Sequence, residues 1–305
     1  MRIDPGFDAI LAGLAALPPA CERTLDDLRY GWDYSVFGEP EPVAEIGDHV
    51  VPVGDTGIAA RLYRPENPSA LMVYYHGGGW TMGGLESHDR ALRIFANRAG
   101  IAILSVDYRL APEHPFPTAL EDSRAGLHWA HANAASLRCD GLPFLVGGDS
   151  AGGNLAAAVA LSARNGTPAL GGQLLIYPAL DGRCDSGSYA SRADCTLLTA
   201  RDMRWYWSQY VPEAGRRDDP MASPCRAEDH AGTPPAIIAV AGFDPLRDEA
   251  LDYAAMLARA GTQVTLLHYP DLPHGFFSFH ALVPAADRAF GDLAAQVRRL
   301  LGSTA

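Results

Sequence analysis

The pattern of hydrophobic positions changes character near residue 46. Before it, apolar residues fall at helical spacing. Leu11, Leu14, Ala15 and Ala16 lie in an apolar run from Ala9 to Ala20 that Pro18-Pro19 ends, and Leu25, Leu28, Arg29 and Trp32 predict a second short helix. Pro40 and Pro42 then punctuate the chain like the exit from an N-terminal appendage. His49–Val53 and Gly57–Tyr63, separated by Gly54-Asp55-Thr56, predict a hairpin. Beyond it, short continuous apolar runs alternate with amphipathic stretches. The runs are Leu71–His76, Ile101–Asp107, Leu142–Gly147, Gly171–Tyr177, Pro235–Gly242 and Gln263–Tyr269. The amphipathic stretches are a helix capped by Ser87 and running to Ala99, then Thr118–Ala134, Asn154–Arg164, Leu246–Ala260 and Pro284–Leu301. Runs apolar on both faces, each followed by a helix, predict an α/β fold: a mostly parallel sheet, helices on both faces, and the hairpin as an antiparallel edge.

One segment breaks the alternation. Residues 181–234 separate two strands by more than a crossover needs, and hold a helical piece, Thr199–Tyr210, with Met203, Trp205, Tyr206 and Trp207. Its aromatic content marks an insertion rather than a Gly/Ser linker.

Composition narrows the chemistry. Net charge is −12, and all 24 basic residues are arginine. With no lysine, Schiff-base, Ser–Lys and P-loop mechanisms are excluded. An acidic chain without a basic run points away from nucleic acid and anionic membranes as partners. No apolar stretch reaches the roughly 20 residues of a membrane span. The Ala9–Ala20 run lacks the basic flank of a signal peptide, since Asp4 and Asp8 stand against Arg2. Cys21, Cys139, Cys184, Cys195 and Cys225 are scattered, which predicts free thiols, a reducing compartment and a cytoplasmic location. Without a Cys/His cluster, neither a metal nor a cofactor is expected.

The candidate chemistry centres on Gly148-Asp149-Ser150-Ala151-Gly152-Gly153, between an apolar strand and an Ala-rich helix. Gly-x-Ser-x-Gly in that setting fits a nucleophile elbow, which holds a serine on a strained strand-to-helix turn. Ser150 then needs a base, an acid to orient the base, and donors for an oxyanion, all at carboxyl ends of strands. Asp244 follows the strand ending at Gly242, and His274 follows the strand ending at Tyr269. The order Ser150, Asp244, His274 is that of α/β hydrolases. Asp244 could instead cap the helix near Leu246. Asp248, Asp271 and His280 are weaker rivals, and His128 and His131 are expected on the surface. His76-Gly77-Gly78-Gly79-Trp80 follows another buried strand and supplies candidate oxyanion donors at Gly78 and Gly79, with Ala151 as the third. Gly77 is assigned to the turn, and His76 to holding the loop. Trp80, Tyr177, Trp205 and Tyr206 are candidates for the pocket wall.

His76–Trp80, Asp107-Tyr-Arg-Leu-Ala-Pro-Glu-His114, Gly148–Asn154, Asp244-Pro-Leu-Arg-Asp-Glu249 and His274-Gly-Phe276 together resemble the hormone-sensitive-lipase-like (family IV) carboxylesterases, in their GDSAG form. The likeness runs from about residue 4 to the C-terminus. It implies a catalytic α/β-hydrolase domain over 46–305, and a cap built from residues 1–45 and an insertion near 183–220. It also implies that Asp107–His114 is a structural loop, with Ala111-Pro112 and Phe116-Pro117 as candidates for cis geometry. The implied activity is hydrolysis of small-molecule carboxylic esters, with short to medium acyl chains expected. The same residues would serve an amidase or lactonase, and a non-catalytic small-molecule receptor is the alternative of another class. Family members often pair through the last strand, so a homodimer through 263–269 is expected.

Overall fold

The computed structural model describes residues 2–302 except Trp32, Asn165, Ala193, Cys195 and Thr196. Two expectations therefore lie outside the described residues, the helical place of Trp32 and the free thiol of Cys195. The strands are β1 (Glu45–Val53), β2 (Thr56–Arg64), β3 (Leu71–Tyr75), β4 (Ala102–Val106), β5 (Phe144–Asp149), β6 (Leu170–Ile176), β7 (Ala236–Phe243) and β8 (Val264–Pro273). They form one sheet in the order β1-β2-β4-β3-β5-β6-β7-β8. β1 and β2 pair antiparallel to each other, as does β2 to β4, and every later pairing is parallel.

The continuous apolar runs are explained by cores on both faces. Alternate residues of β3 go to opposite sides: Leu71, Val73 and Tyr75 join one core, Met72 and Tyr74 the other. The first core takes in α4 (Thr118–Ala132), α5 (Ala151–Ala163) and α8 (Arg247–Arg259). The second takes in α3 (Leu85–Ala99) and α9 (Pro284–Gly302). The hairpin turn is shorter than expected, because Thr56 already pairs with Val53.

Two boundaries differ from the sequence expectation in ways that bear on the site. Ser87 is the third residue of α3 rather than its cap. Its hydroxyl accepts the N–H of Gly84 and donates to the Gly84 carbonyl, closing the turn from inside. β8 runs on to Pro273, past a register shift opposite Ala241–Phe243, so His274 leaves the strand directly. β8 is the open edge on its side of the sheet.

The N-terminal segment contains α1 (Asp8–Ala15) and α2 (Leu25–Tyr30), and α1 ends before Pro18-Pro19. The segment between β6 and β7 contains α6 (Gly187–Ser191) and α7 (Ala200–Tyr210). The two segments touch: the Cys21 N–H donates to Asp202, and Arg201 pairs with Glu22. Arg29 of α2 also donates to the carbonyls of Thr81 and Ala111 and pairs with Glu113, fastening the N-terminal segment to the loops after β3 and β4. The Ala111-Pro112 and Phe116-Pro117 bonds are cis, as is Thr167-Pro168.

Candidate active site

β5 ends at Asp149 and α5 begins at Ala151, so Ser150 alone makes the turn between them. Its φ of 55° and ψ of −117° are strained for a residue with a side chain, at a cost of order 1–3 kcal/mol. The neighbouring glycines make the turn possible. A Cβ on Gly148 would sit 2.3 Å from the Gly152 carbonyl oxygen, and one on Gly152 would sit 1.9 Å from that of Tyr75.

Oγ of Ser150 lies 3.0 Å from Nε2 of His274, and Nδ1 of the same ring lies 2.7 Å from Oδ2 of Asp244. The carboxylate can only accept, so Nδ1 carries the proton and Nε2 is left to receive the serine hydroxyl. Three residues separated by 30 to 124 positions thus form one buried hydrogen-bonded row. Asp244 is not the cap of α8, whose N-cap is Leu246 without a side-chain cap; the Asp244 Oδ1 accepts the Leu246 N–H in the turn just before the helix. The rivals point elsewhere. Asp248 bonds its neighbour Arg247, Asp271 is exposed, and His280 bonds the Phe277 carbonyl and stacks on Phe290. His128 and His131 are exposed.

The loop after β3 faces this row. Gly78 and Gly79 have φ of +122° and +58°, which L side chains rarely adopt. Among the described residues no acceptor engages their N–H groups, and the N–H of Ala151, first in α5, is one that helix geometry leaves open. Gly77 is different: its N–H donates to Oδ1 of Asp149. His76 sits beneath, fully buried, with Nδ1 donating to the Gly77 carbonyl and its ring stacked on Tyr108 at 4.2 Å. Burial pushes its pKa down to about 4, so it stays neutral. The Asp107–His114 loop braces the same region, as the Tyr108 hydroxyl donates to the His76 carbonyl and Arg109 is held by both oxygens of Asp122.

A mostly apolar cavity of about 230 Å³ opens over Ser150 and His274. Tyr177 and Tyr206 line it, as expected. Trp80 and Trp205 do not. The positive φ of Trp80 turns its side chain away from the loop and into the core, where it stacks on Tyr210 at 4.3 Å and meets Trp207 at 4.6 Å. Trp205 sits on the wrong side of α7. Successive helical residues are turned by about 100°, so the cavity face of α7 is Met203 and Tyr206, and Trp205 only edges onto the Tyr206 ring. Tyr206 packs so closely over the glycine loop that a Cβ on Gly79 would lie 2.2 Å from its ring.

A family model described as alpha/beta hydrolase fold matches residues 72–278. The chain belongs to this family. It is 42% identical over 269 residues to carboxylic ester hydrolase LipN of Mycobacterium tuberculosis, covering 85% of this chain and 71% of that protein. It is also 42% identical over 255 residues to carboxylesterase NlhH of the same species, covering 81% and 80%. The hyperthermophilic esterase of the archaeon Pyrobaculum calidifontis superposes with a TM-score of 0.91 at 35% identity, covering 98% of this chain and 99% of that one. The hormone-sensitive-lipase-like resemblance read from the motifs is thus borne out, and with it the α/β-hydrolase fold.

Much of this hydrolase's cavity wall was not legible in the sequence. Tyr34, Phe37, Met82, Leu198, Met203 and Phe279 all contribute. Met203 could have been found from its helical spacing to Tyr206. Tyr34 and Phe37, in a short turn of the N-terminal segment, had no periodic signal. His88, next to Ser87 in α3, also reaches the cavity and was not singled out. No helix among the described residues is long and apolar enough to cross a membrane, and no group of three or more His, Cys, Asp or Glu among them could hold a metal ion. The described cysteines, Cys21, Cys139, Cys184 and Cys225, are free.

Proposed function

We propose that this carboxylic ester hydrolase works through an acyl-enzyme on Ser150, with His274 as base and acid, Asp244 as its orienter, and the N–H groups of Gly78, Gly79 and Ala151 as the oxyanion hole. The single observation that carries the reading is the row Ser150–His274–Asp244, with contacts of 3.0 and 2.7 Å at the floor of an apolar cavity. In this reading His274 takes the proton of Ser150 as the serine attacks the ester carbonyl. The backbone donors stabilise the resulting oxyanion. His274 then protonates the leaving alcohol, and water, deprotonated by the same ring, releases the acid.

The substrate is a small-molecule ester with a short to medium acyl chain, because Tyr206 and Met203 close the cavity over the glycine loop. The N-terminal segment and the insertion between β6 and β7 act together as the cap, as their mutual hydrogen bonds and shared cavity wall support. The deciding experiment is hydrolysis of p-nitrophenyl butyrate by the wild type and Ser150→Ala. Activity should vanish in the variant, and a variant as active as the wild type would refute the assignment.

A further inference from the structure

Resting on the oxyanion hole just proposed, we propose that His88 is a positioning residue, which acts through Asp149 to set the distance between the hole's two halves. Those halves come from separate elements. Gly78 and Gly79 lie in the loop after β3, while Ala151 opens α5. β3 and β5 pair side by side up to Tyr75 and Gly148. Beyond that register Asp149 ties the halves together, because it immediately precedes Ser150 and its carboxylate reaches across to the Gly77 N–H.

A single oxygen of that carboxylate, Oδ1, collects three donors. They are the Gly77 N–H at 2.9 Å, the Tyr74 hydroxyl at 2.8 Å and Nε2 of His88 at 3.0 Å. The fit is close, since a Cβ on Gly77 would lie 2.3 Å from the other oxygen. Asp149 is 5% exposed, and the ion-pair partner found for it is His88, from α3. Burial opposes its charge, but the His88 ring, the Tyr74 hydroxyl and the Gly77 N–H outweigh that and hold its carboxyl below the usual range. The charged carboxylate therefore depends on His88. If His88 were lost, Oδ1 would keep fewer donors inside a dry site, and the carboxylate would relax toward water or take up a proton. Either change loosens Gly77, and with it the two N–H groups that follow. Ser87 holds the histidine in turn, with its hydroxyl 2.8 Å from Nδ1 of His88.

The test uses the full chain with His88→Leu, His88→Gln and Tyr74→Phe. The probes are p-nitrophenyl butyrate and diethyl p-nitrophenyl phosphate, whose phosphoryl oxygen needs the same donors as the ester oxyanion. Rates are expressed per Ser150 site titrated by the phosphate. His88→Leu should lower kcat about 10–100-fold with KM within about twofold, a partial form of the 10²–10³-fold loss on deleting a donor. Phosphorylation should slow in parallel. Glutamine can place an amide N–H where Nε2 stands, so His88→Gln should recover to within about fivefold of the wild type.

A merely structural role would reduce the number of titratable sites and leave kcat per site unchanged, and that result would overturn the proposal. So would a raised KM at constant kcat, which would mark His88 as a wall of the cavity only, or a glutamine variant as impaired as the leucine one. If His88→Leu does not fold, Tyr74→Phe decides. It removes one donor to Oδ1 with little change in volume, and an undiminished kcat would reject the idea. Activity surviving in Ser150→Ala would instead overturn the reading beneath it.

Discussion

The carboxylate of Asp244 is shared between His274 and the head of α8. Oδ2 lies 2.7 Å from Nδ1 of the histidine, and Oδ1 accepts the N–H of Leu246 at 2.8 Å. One side chain therefore holds both the His274 ring and the turn that leads into α8. Two substitutions separate these roles. Asp244→Asn keeps an acceptor for Leu246 but offers Nδ1 an ambiguous partner, so kcat should fall on the order of 10³–10⁴-fold while stability changes little. Asp244→Ala should lose as much activity and about 1 kcal/mol more stability, because the buried Leu246 N–H also loses its acceptor. Steady-state kinetics beside denaturant unfolding check both.

Tyr206 and Met203 line the cavity, and the Tyr206 ring packs over Gly79. On p-nitrophenyl esters from acetate to palmitate, the wild type should be fastest on the short to medium chains. Tyr206→Ala should move the optimum toward longer chains by opening space above Gly79, and should cost stability of roughly 3–5 kcal/mol, as truncating a buried aromatic does. Best wild-type activity on palmitate would contradict the reading of the cavity.

Acid should act through His76. Its folded pKa is about 4 against an ordinary value near 6.5. Between those values the unfolded chain binds a proton that the folded chain refuses. The stability is fully present above about pH 6.5 and is lost as the pH falls toward 4, by up to ~3 kcal/mol. His76→Asn can still donate to the Gly77 carbonyl but cannot charge. Its unfolding free energy should fall less steeply across that window, as urea titrations at several pH values would reveal.

Glu249 should act in the opposite sense. Its carboxyl is buried, one oxygen accepting the Leu180 N–H, and burial raises its pKa well above the ordinary value. The unfolded chain loses this proton more readily, so stability present at low pH declines as the pH rises above about 4.5, the ordinary carboxyl value. Glu249→Gln keeps an acceptor for Leu180 and cannot ionise. It should raise the melting temperature at pH 8 and leave it nearly unchanged at pH 4, which differential scanning calorimetry can read.

Legibility in the sequence followed the range of the interactions. Strand ends could be read locally, because a run apolar on both faces has to be a buried strand, and the residues just past it have to lie at the sheet's rim. That placed Ser150, Asp244, His274 and the Gly77–Gly79 loop at one edge of the sheet, in the order that an α/β hydrolase requires. The direction of a side chain off such an element could not be read in the same way. Trp80 follows the glycine loop directly, yet its positive φ sends it into the core. Tyr206 and Trp205 are neighbours in sequence, yet the turn of α7 gives only one of them to the cavity. Asp149 carries no signal of its own within the elbow motif, and only the fold brings Tyr74 and Gly77, from the end of β3 and the loop after it, and His88, from α3, onto one of its oxygens. The sequence by itself determined the succession of strands and helices and the chemical groups, since both rest on local hydrophobic pattern and backbone freedom. Only the tertiary structure decided which side chains enclose the cavity and which hold the loop, because those roles depend on packing between elements far apart in the chain.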